Sequence, residues 1–273
     1  MKDVSVLSSD PKQGHDGLWS QAPSMPAFPT KRVDVWRVRL DERVRAGSEA
    51  SVLSPDEIAR ASRFHFERDR THFSRCRSAL RRLLAGYLAM PATEIRFEYL
   101  SNGKPQITDE QNPRGLQFNV SHSADVALIA VGSKHRLGVD IEKIRVEVDT
   151  DSLAERFFSF HERAELRALP DHLRVPAFYA CWTRKEAFLK ATGDGLSFPL
   201  ADFSVTTHPE LDPGLEEIRG NTEARKHWFL ADLVVDGYRA TMAVEGAVSQ
   251  LETYTYTCTC YPNAPMKVSS ASM

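Results

Sequence analysis

The sequence predicts an α+β protein made of two successive halves with a similar grammar, each combining helices with a few strands. Three observations carry that expectation. Short segments alternate apolar and polar residues with the period of a half-buried strand, beginning at Val33-Asp34-Val35-Trp36-Arg37-Val38-Arg39-Leu40. A Ser-x-x-Glu capping box opens a helix in each half, at Ser54 to Glu57 and at Ser159 to Glu162. Near the end, Asp236-Gly237 stands between two strand-like runs and suits the two-residue loop of a type I′ hairpin. The expected organisation is a disordered leader over residues 1–30, an N-terminal half over 31–145, a C-terminal half over 146–249 and a flexible tail over 250–273. No internal repeat is strong enough to prove duplication.

Composition narrows the function classes. Apolar residues make up 42% of the 273 positions and charged residues 26%, an ordinary globular profile. A formal net charge of −2 gives no general attraction to nucleic acid or to a membrane surface. No apolar run is long enough to span a bilayer, and residues 1–30 lack a basic-then-apolar signal pattern. Cys76, Cys181, Cys258 and Cys260 lack zinc-ligand spacing; Cys258-x-Cys260 reads either as a soft-metal site or as a pair of reduced thiols. The expectation is a cytoplasmic protein with neither nucleic acid nor membrane as partner.

Taken in order, the leader carries Pro11, Pro23, Pro26 and Pro29 among small polar residues without periodicity. After the first strand, Ser54 is the N-cap and Pro55 the first helical residue of a helix. Residues 60–82 then hold eight arginines against Glu67 and Asp69, while Phe73, Cys76, Leu80, Leu83, Leu84 and Tyr87 recur at helical spacing as a core face. The arginines are either a solvated helix face or an anion site, since guanidinium grips phosphate in a bidentate way. The stacking aromatics of a nucleic-acid surface are not interleaved with them. Residues 95–99 alternate as a strand and lead into the turn Ser101-Asn102-Gly103-Lys104-Pro105. Leu116-Gln117-Phe118-Asn119-Val120 is a strand running into Ser121-His122-Ser123; residues 125–131 and 137–141 are further buried strands. These predict a small antiparallel sheet with the arginine-rich helix packed on it. His122 is either a hydrogen-bonded structural residue or a donor to a phosphate oxygen.

In the second half, residues 145–150 read as a linker, 153–158 as a short helix and 162–168 as another. Pro170 and Pro176 bracket a break, and the longest helical pattern, 177–192, closes at Gly193. Residues 203–206 form a short strand, and 227–235 and 238–244 the hairpin.

Two stretches carry chemistry. Gly138-Val139-Asp140-Ile141-Glu142 sets two carboxylates on one face of a strand, with the branched residues turned to the core. Neighbouring like charges repel, and a hard cation such as Mg²⁺, bound through one or two carboxylates with waters and phosphates, would neutralise them. A strand with one solvated face is the other reading. On the long helix, Glu186 and Lys190 stand four apart, in the orientation that favours an ion pair. They are either a surface pair or part of a site, and the large apolar neighbours of Glu186 speak for the second.

Phe118-Asn119-Val120-Ser121-His122-Ser123, Gly138-Val139-Asp140-Ile141-Glu142 and Trp182-Thr183-Arg184-Lys185-Glu186-Ala187-Phe188-Leu189-Lys190 together resemble the three signatures of the 4′-phosphopantetheinyl transferases, in particular the long, monomeric Sfp type. Gly103-Lys104-Pro105, Arg156-Phe157-Phe158-Ser159 and Gly193-Asp194-Gly195-Leu196 resemble further family elements. Each motif alone is weak; the ordered set, spanning about residues 54–244, is specific. The resemblance implies two similar α/β halves related by a pseudo-twofold, with coenzyme A in the cleft between them. It implies transfer of the phosphopantetheine arm to a serine of an apo acyl or peptidyl carrier protein, releasing adenosine 3′,5′-bisphosphate. By match of position, Asp140, Glu142 and Glu186 would hold Mg²⁺. Arg60, Lys104, Pro105, Ser121 and His122 would contact coenzyme A, together with Asp140, Glu186 and Lys190. Glu186, Lys190 and Asp140 would be catalytic, with Glu186 as base. In one departure, Glu57 stands where some relatives have a basic phosphate contact. The alternatives are a Mg²⁺-dependent nucleotide hydrolase, or a protein that binds coenzyme A without a carrier acceptor.

Overall fold

The computed structural model describes residues 19–21, 27–42, 49–100, 103–195 and 198–257. The first half contains β1 (Ser20–Gln21), β2 (Arg32–Arg39), α1 (Pro55–Ala61), α2 (Glu67–Leu88), β3 (Phe97–Tyr99), β4 (Pro105–Ile107), β5 (Leu116–Ser123), β6 (Val126–Ser133) and β7 (Leu137–Lys143). The second contains α3 (Thr150–Phe157), α4 (Phe160–Ala168), α5 (Asp171–Thr192), β8 (Phe203–Val205), β9 (Leu215–Ile218), β10 (Trp228–Leu233), β11 (Tyr238–Glu245) and β12 (Gln250–Thr255). Both capping boxes form, at Ser54/Glu57 ahead of α1 and at Ser159/Glu162 ahead of α4. The β10–β11 hairpin closes through residues 234–237 rather than the expected two-residue type I′ loop: Gly237 has a φ of 77°, but Asp236 is not at positive φ, which type I′ requires.

Two main sheets result, a five-stranded one in the order β1-β12-β2-β6-β5 and a three-stranded one in the order β10-β11-β7. Three apolar clusters stack them into four layers. Trp36, Val38, Leu80, Leu84 and Ile129 fill the space between α2 and the five-stranded sheet. Val35, Leu128, Val139, Ile141 and Met242 lie between the two sheets, and Ala187, Phe188, Leu230 and Ala243 between the three-stranded sheet and α5. Burying apolar area on both faces of each sheet is what holds the halves together.

The structure departs from the sequence expectation at several points. β7 does not join β5 and β6 in an antiparallel sheet; it pairs with β11 of the second half, Asp140 opposite Thr241 and Glu142 opposite Arg239. Residues 250–255, expected in a flexible tail, form β12, which lies parallel to β2, between it and β1 in the first half's sheet. Alternation announces β7 but not its partner, and it does not announce β12 as a strand at all, so neither exchange is visible locally. Within the expected leader, Trp19 is buried, its Nε1 donates to the Val234 carbonyl at 2.7 Å, and β1 pairs with β12. Residues 1–18, 22–26 and 258–273, with Cys258 and Cys260, lie outside the described residues. Pro176 does not break the long helix: α5 starts at Asp171 and runs through it. A proline that early in a helix removes only one backbone hydrogen bond.

Candidate active site

β7 brings the two carboxylates. Val139 and Ile141 are fully buried between the sheets, so Asp140 and Glu142 face α5. The helix crosses the strand closely: a Cβ on Gly138 would stand 2.1 Å from the Ala187 carbonyl oxygen and 2.4 Å from the Ala191 amide. Only glycine admits that approach, and it brings Glu186 and Lys190 over Asp140. Lys190 Nζ donates to Asp140 Oδ1 at 2.6 Å and to Ser121 Oγ at 2.9 Å. Ser121 Oγ donates to Asp140 Oδ1 at 2.9 Å, and Ser123 Oγ donates to Glu142 Oε2 at 2.9 Å.

The three acids sense one another. Burial, then the charge of Asp140, pushes the Glu142 carboxyl above its ordinary value despite the Ser123 hydrogen bond. Burial also raises Glu186; Asp140 and Glu142 add to the rise, and Lys190 opposes it. Asp140 itself is 2% exposed, and its Oδ2 is buried without a hydrogen-bond partner. Such an atom carries a desolvation cost that a cation would offset.

Beside this cluster lies a cleft of about 260 Å³, lined from the first half by Lys104, Pro105, Phe118, Asn119 and Val120 and from the second by Leu189, Lys190, Gly193 and Gly195. Lys104 spans it: its Nζ donates to the Lys190 carbonyl at 2.5 Å and to the Leu137 carbonyl at 3.3 Å. Burial, with the Arg136 charge adding to it, pulls the Lys104 pKa down to about 8. His122 projects from the exposed end of β5, and burial of its ring, then the charges of Lys190 and His72, lowers its pKa. Arg60 is exposed on α1, its guanidinium 5.4 Å from the Phe73 ring.

The arginine-rich segment divides: Arg60, Arg63, Arg68 and Arg70 are exposed, as a solvated face expects, whereas the later arginines are engaged within the protein. Arg75 donates to Glu49 and to the Leu40 carbonyl, while Arg77 and Arg81 both donate to Glu57. Glu57 is therefore a buried anchor for α2.

Family models for the 4′-phosphopantetheinyl transferase superfamily and for a 4′-phosphopantetheinyl transferase N-terminal region match residues 136–243 and 42–134. The 4′-phosphopantetheinyl transferase HetI of Nostoc sp. is 38% identical, over 84% of this chain and 94% of that protein. The chain belongs to the 4′-phosphopantetheinyl transferase superfamily. It is an enzyme of the transferase class. The 4′-phosphopantetheinyl transferase Sfp of Bacillus subtilis is 32% identical over 61% of this chain and 71% of that protein. Among solved structures, a holo-(acyl-carrier-protein) synthase of Bacillus anthracis in complex with CoA (3′,5′-ADP) is 26% identical over 41% of this chain and 96% of that one. Its TM-score of 0.32 is too low to bear on the fold.

In this phosphopantetheinyl transferase the two matched regions meet at the cluster, Ser121 from the first against Asp140 and Lys190 from the second, with Lys104 and Pro105 in the adjoining cleft; Arg60 and His122 do not line that cleft. Among the described residues, no group of three or more His, Cys, Asp or Glu is gathered tightly enough to hold a metal ion alone. The donor set nonetheless suits Mg²⁺, which takes one or two carboxylates and completes its shell with water and substrate phosphate. No helix among the described residues is long and apolar enough to cross a membrane. Sequence reading missed Ser123 and Asn119; the signal was the polar alternation Asn119-x-Ser121-x-Ser123 on a strand whose other face is apolar.

Proposed function

We propose that this transferase moves the 4′-phosphopantetheine arm of coenzyme A onto a serine of an apo acyl or peptidyl carrier protein, with Mg²⁺ held by Asp140, Glu142 and Glu186. The observation that carries this reading is three mutually repelling carboxylates set beside Lys190 at the wall of a cleft between the halves. The metal, when bound, supplies positive charge for the pyrophosphate oxygens. The serine oxygen bonds to the pantetheine-bearing phosphorus, the bridging P–O bond breaks, and its electron pair leaves on adenosine 3′,5′-bisphosphate. Glu186 takes the serine proton. Lys190, hydrogen-bonded to Asp140, needs only a side-chain rotation to offer its ammonium to a phosphate oxygen. Arg60, Lys104, Pro105, Ser121 and His122 are the proposed contacts to coenzyme A. The Ser121 hydroxyl is committed to Asp140, so its contact comes through the backbone. The enzyme acts as a cytoplasmic monomer; the buried free thiols of Cys76 and Cys181 suit that compartment.

Intact-mass spectrometry of apo carrier proteins tests the proposal. With enzyme, coenzyme A and Mg²⁺, the carrier gains one phosphopantetheine, and EDTA abolishes the gain. Bisphosphate released without any carrier points instead to a nucleotide hydrolase. No gain on fatty-acid, polyketide or peptide carriers from folded protein overturns the proposal.

A further inference from the structure

β5 and β7 are edge strands of different sheets, and an edge strand must find partners for its outward amides. Here side chains supply them. Asn119, Ser121 and Ser123 share one face of β5, and each accepts a β7 amide 20 positions on: Val139 N to Asn119 Oδ1 at 2.9 Å, Ile141 N to Ser121 Oγ at 3.4 Å, Lys143 N to Ser123 Oγ at 3.1 Å. This side-chain ladder takes the place of a backbone ladder and joins the two sheets beside the acidic cluster.

A hydroxyl has one proton to give and two lone pairs. Ser121 uses all three, accepting from Ile141 and Lys190 and donating to Asp140. Ser123 accepts from Lys143 and donates its proton to Glu142. The two acids are held unequally. Asp140 has two donors, Ser121 and Lys190, whereas among the described residues Ser123 alone donates to the Glu142 side chain. Glu142 has more side-chain freedom than Asp140. Without Ser123 no side chain among the described residues donates a hydrogen bond to that carboxylate.

We propose that Ser123 is a positioning residue: anchored by the Lys143 amide, it fixes the rotamer of Glu142 so that this carboxylate and Asp140 present their oxygens together to a divalent cation. The inference rests on reading Asp140, Glu142 and Glu186 as the metal-holding set. Ser121 does the same for Asp140 but is also tied to Lys190, so Ser123 isolates the effect.

The test uses the whole enzyme with coenzyme A and Mn²⁺ as the probe, with bound metal read by electron paramagnetic resonance. Ser123→Thr and Ser123→Val have nearly the same shape and differ in the hydroxyl. Ser123→Val weakens Mn²⁺ about 10-fold, the scale on which partners behind metal ligands act, while Ser123→Thr stays near wild type. At saturating Mg²⁺ the KM for coenzyme A is unchanged in both, which a general loosening of the cleft would not allow. Melting in EDTA establishes that each variant is folded. Equal Mn²⁺ affinity in the Thr and Val variants overturns the role of Ser123. Asp140→Asn separates the two failures: if it too binds Mn²⁺ like wild type, the metal reading has failed. If Asp140→Asn loses the metal while Ser123→Val keeps it, only the positioning role has failed.

Discussion

In the first half the capping-box glutamate Glu57 receives Arg77 and Arg81 from the 22-residue helix α2. In the second, the capping-box glutamate Glu162 receives Lys185 from the 22-residue helix α5, at 2.6 and 2.8 Å. Both acids are buried, 2% and 0% exposed, and both use one residue twice, to close a short helix and to pin the long helix that follows. The halves part company one residue later. Arg82 follows Arg81 and is buried beside Ser78. Glu186 follows Lys185 and faces two more carboxylates. The anchoring device occurs twice, but of the two long helices α5 alone follows its anchor with an acid that joins a carboxylate cluster, completed by Asp140 and Glu142 of β7. A fold can repeat its framework without repeating its reactive end.

Replacing the clustered acids should produce the largest effect. Glu186→Ala and Asp140→Ala each lower transfer by about 10³-fold or more while the far-ultraviolet circular dichroism stays native, with the rate read from carrier mass. A variant with wild-type turnover would remove the distinction between the halves. Next come the anchors. Lys185→Met leaves Glu162 as an unpaired buried charge and costs about 3–5 kcal/mol in urea denaturation. Arg81→Met leaves Glu57 still paired with Arg77, so a smaller loss of about 1–3 kcal/mol is expected. Equal losses would mean that the second arginine contributes nothing. Gly138→Ala tests the close approach of α5 to its strand; a Cβ against backbone cannot be relieved by a rotamer, and a loss of about 1–3 kcal/mol follows. The smallest effect is a pH dependence. Burial alone would raise Glu57, but Arg81, the Ser54 amide and Arg77 outweigh it and hold its pKa below the ordinary value. The folded state then binds fewer protons than the unfolded one at this group. Its contribution is complete above the unfolded pKa of about 4.5 and is lost as pH falls through the lower folded value. The stability gap between wild type and Glu57→Gln should therefore narrow as pH falls below about 4.5.

Much of this was legible in the chain. The two capping boxes, the Asp-Gly hairpin and the alternation of Asp140 and Glu142 are local signals, and local signals fix local structure. What escaped was decided at a distance. Arg77 and Arg81 look like solvent-facing residues on a helical wheel until Glu57 is brought against them. β7 reads correctly as a strand and β12 wrongly as a flexible tail, and the partners of both are more than 90 residues away. Ser123 looked like the second half of a pair around His122; its meaning depends on an edge strand 20 positions on.

The exchange of strands carries a further consequence for how the chain acquires its shape. β12 lies between β1 and β2, so the sheet of the first half is incomplete until residues 250–255 arrive, and β7 waits for β11 before it has a backbone partner. During synthesis, which runs from the N-terminus, neither half can close by itself. A cut in the segment between β7 and α3 would give two fragments that each lack a strand the other owns. The two halves behave less like beads on a string than like two hands with fingers interlaced, and they should fold, and melt, as one.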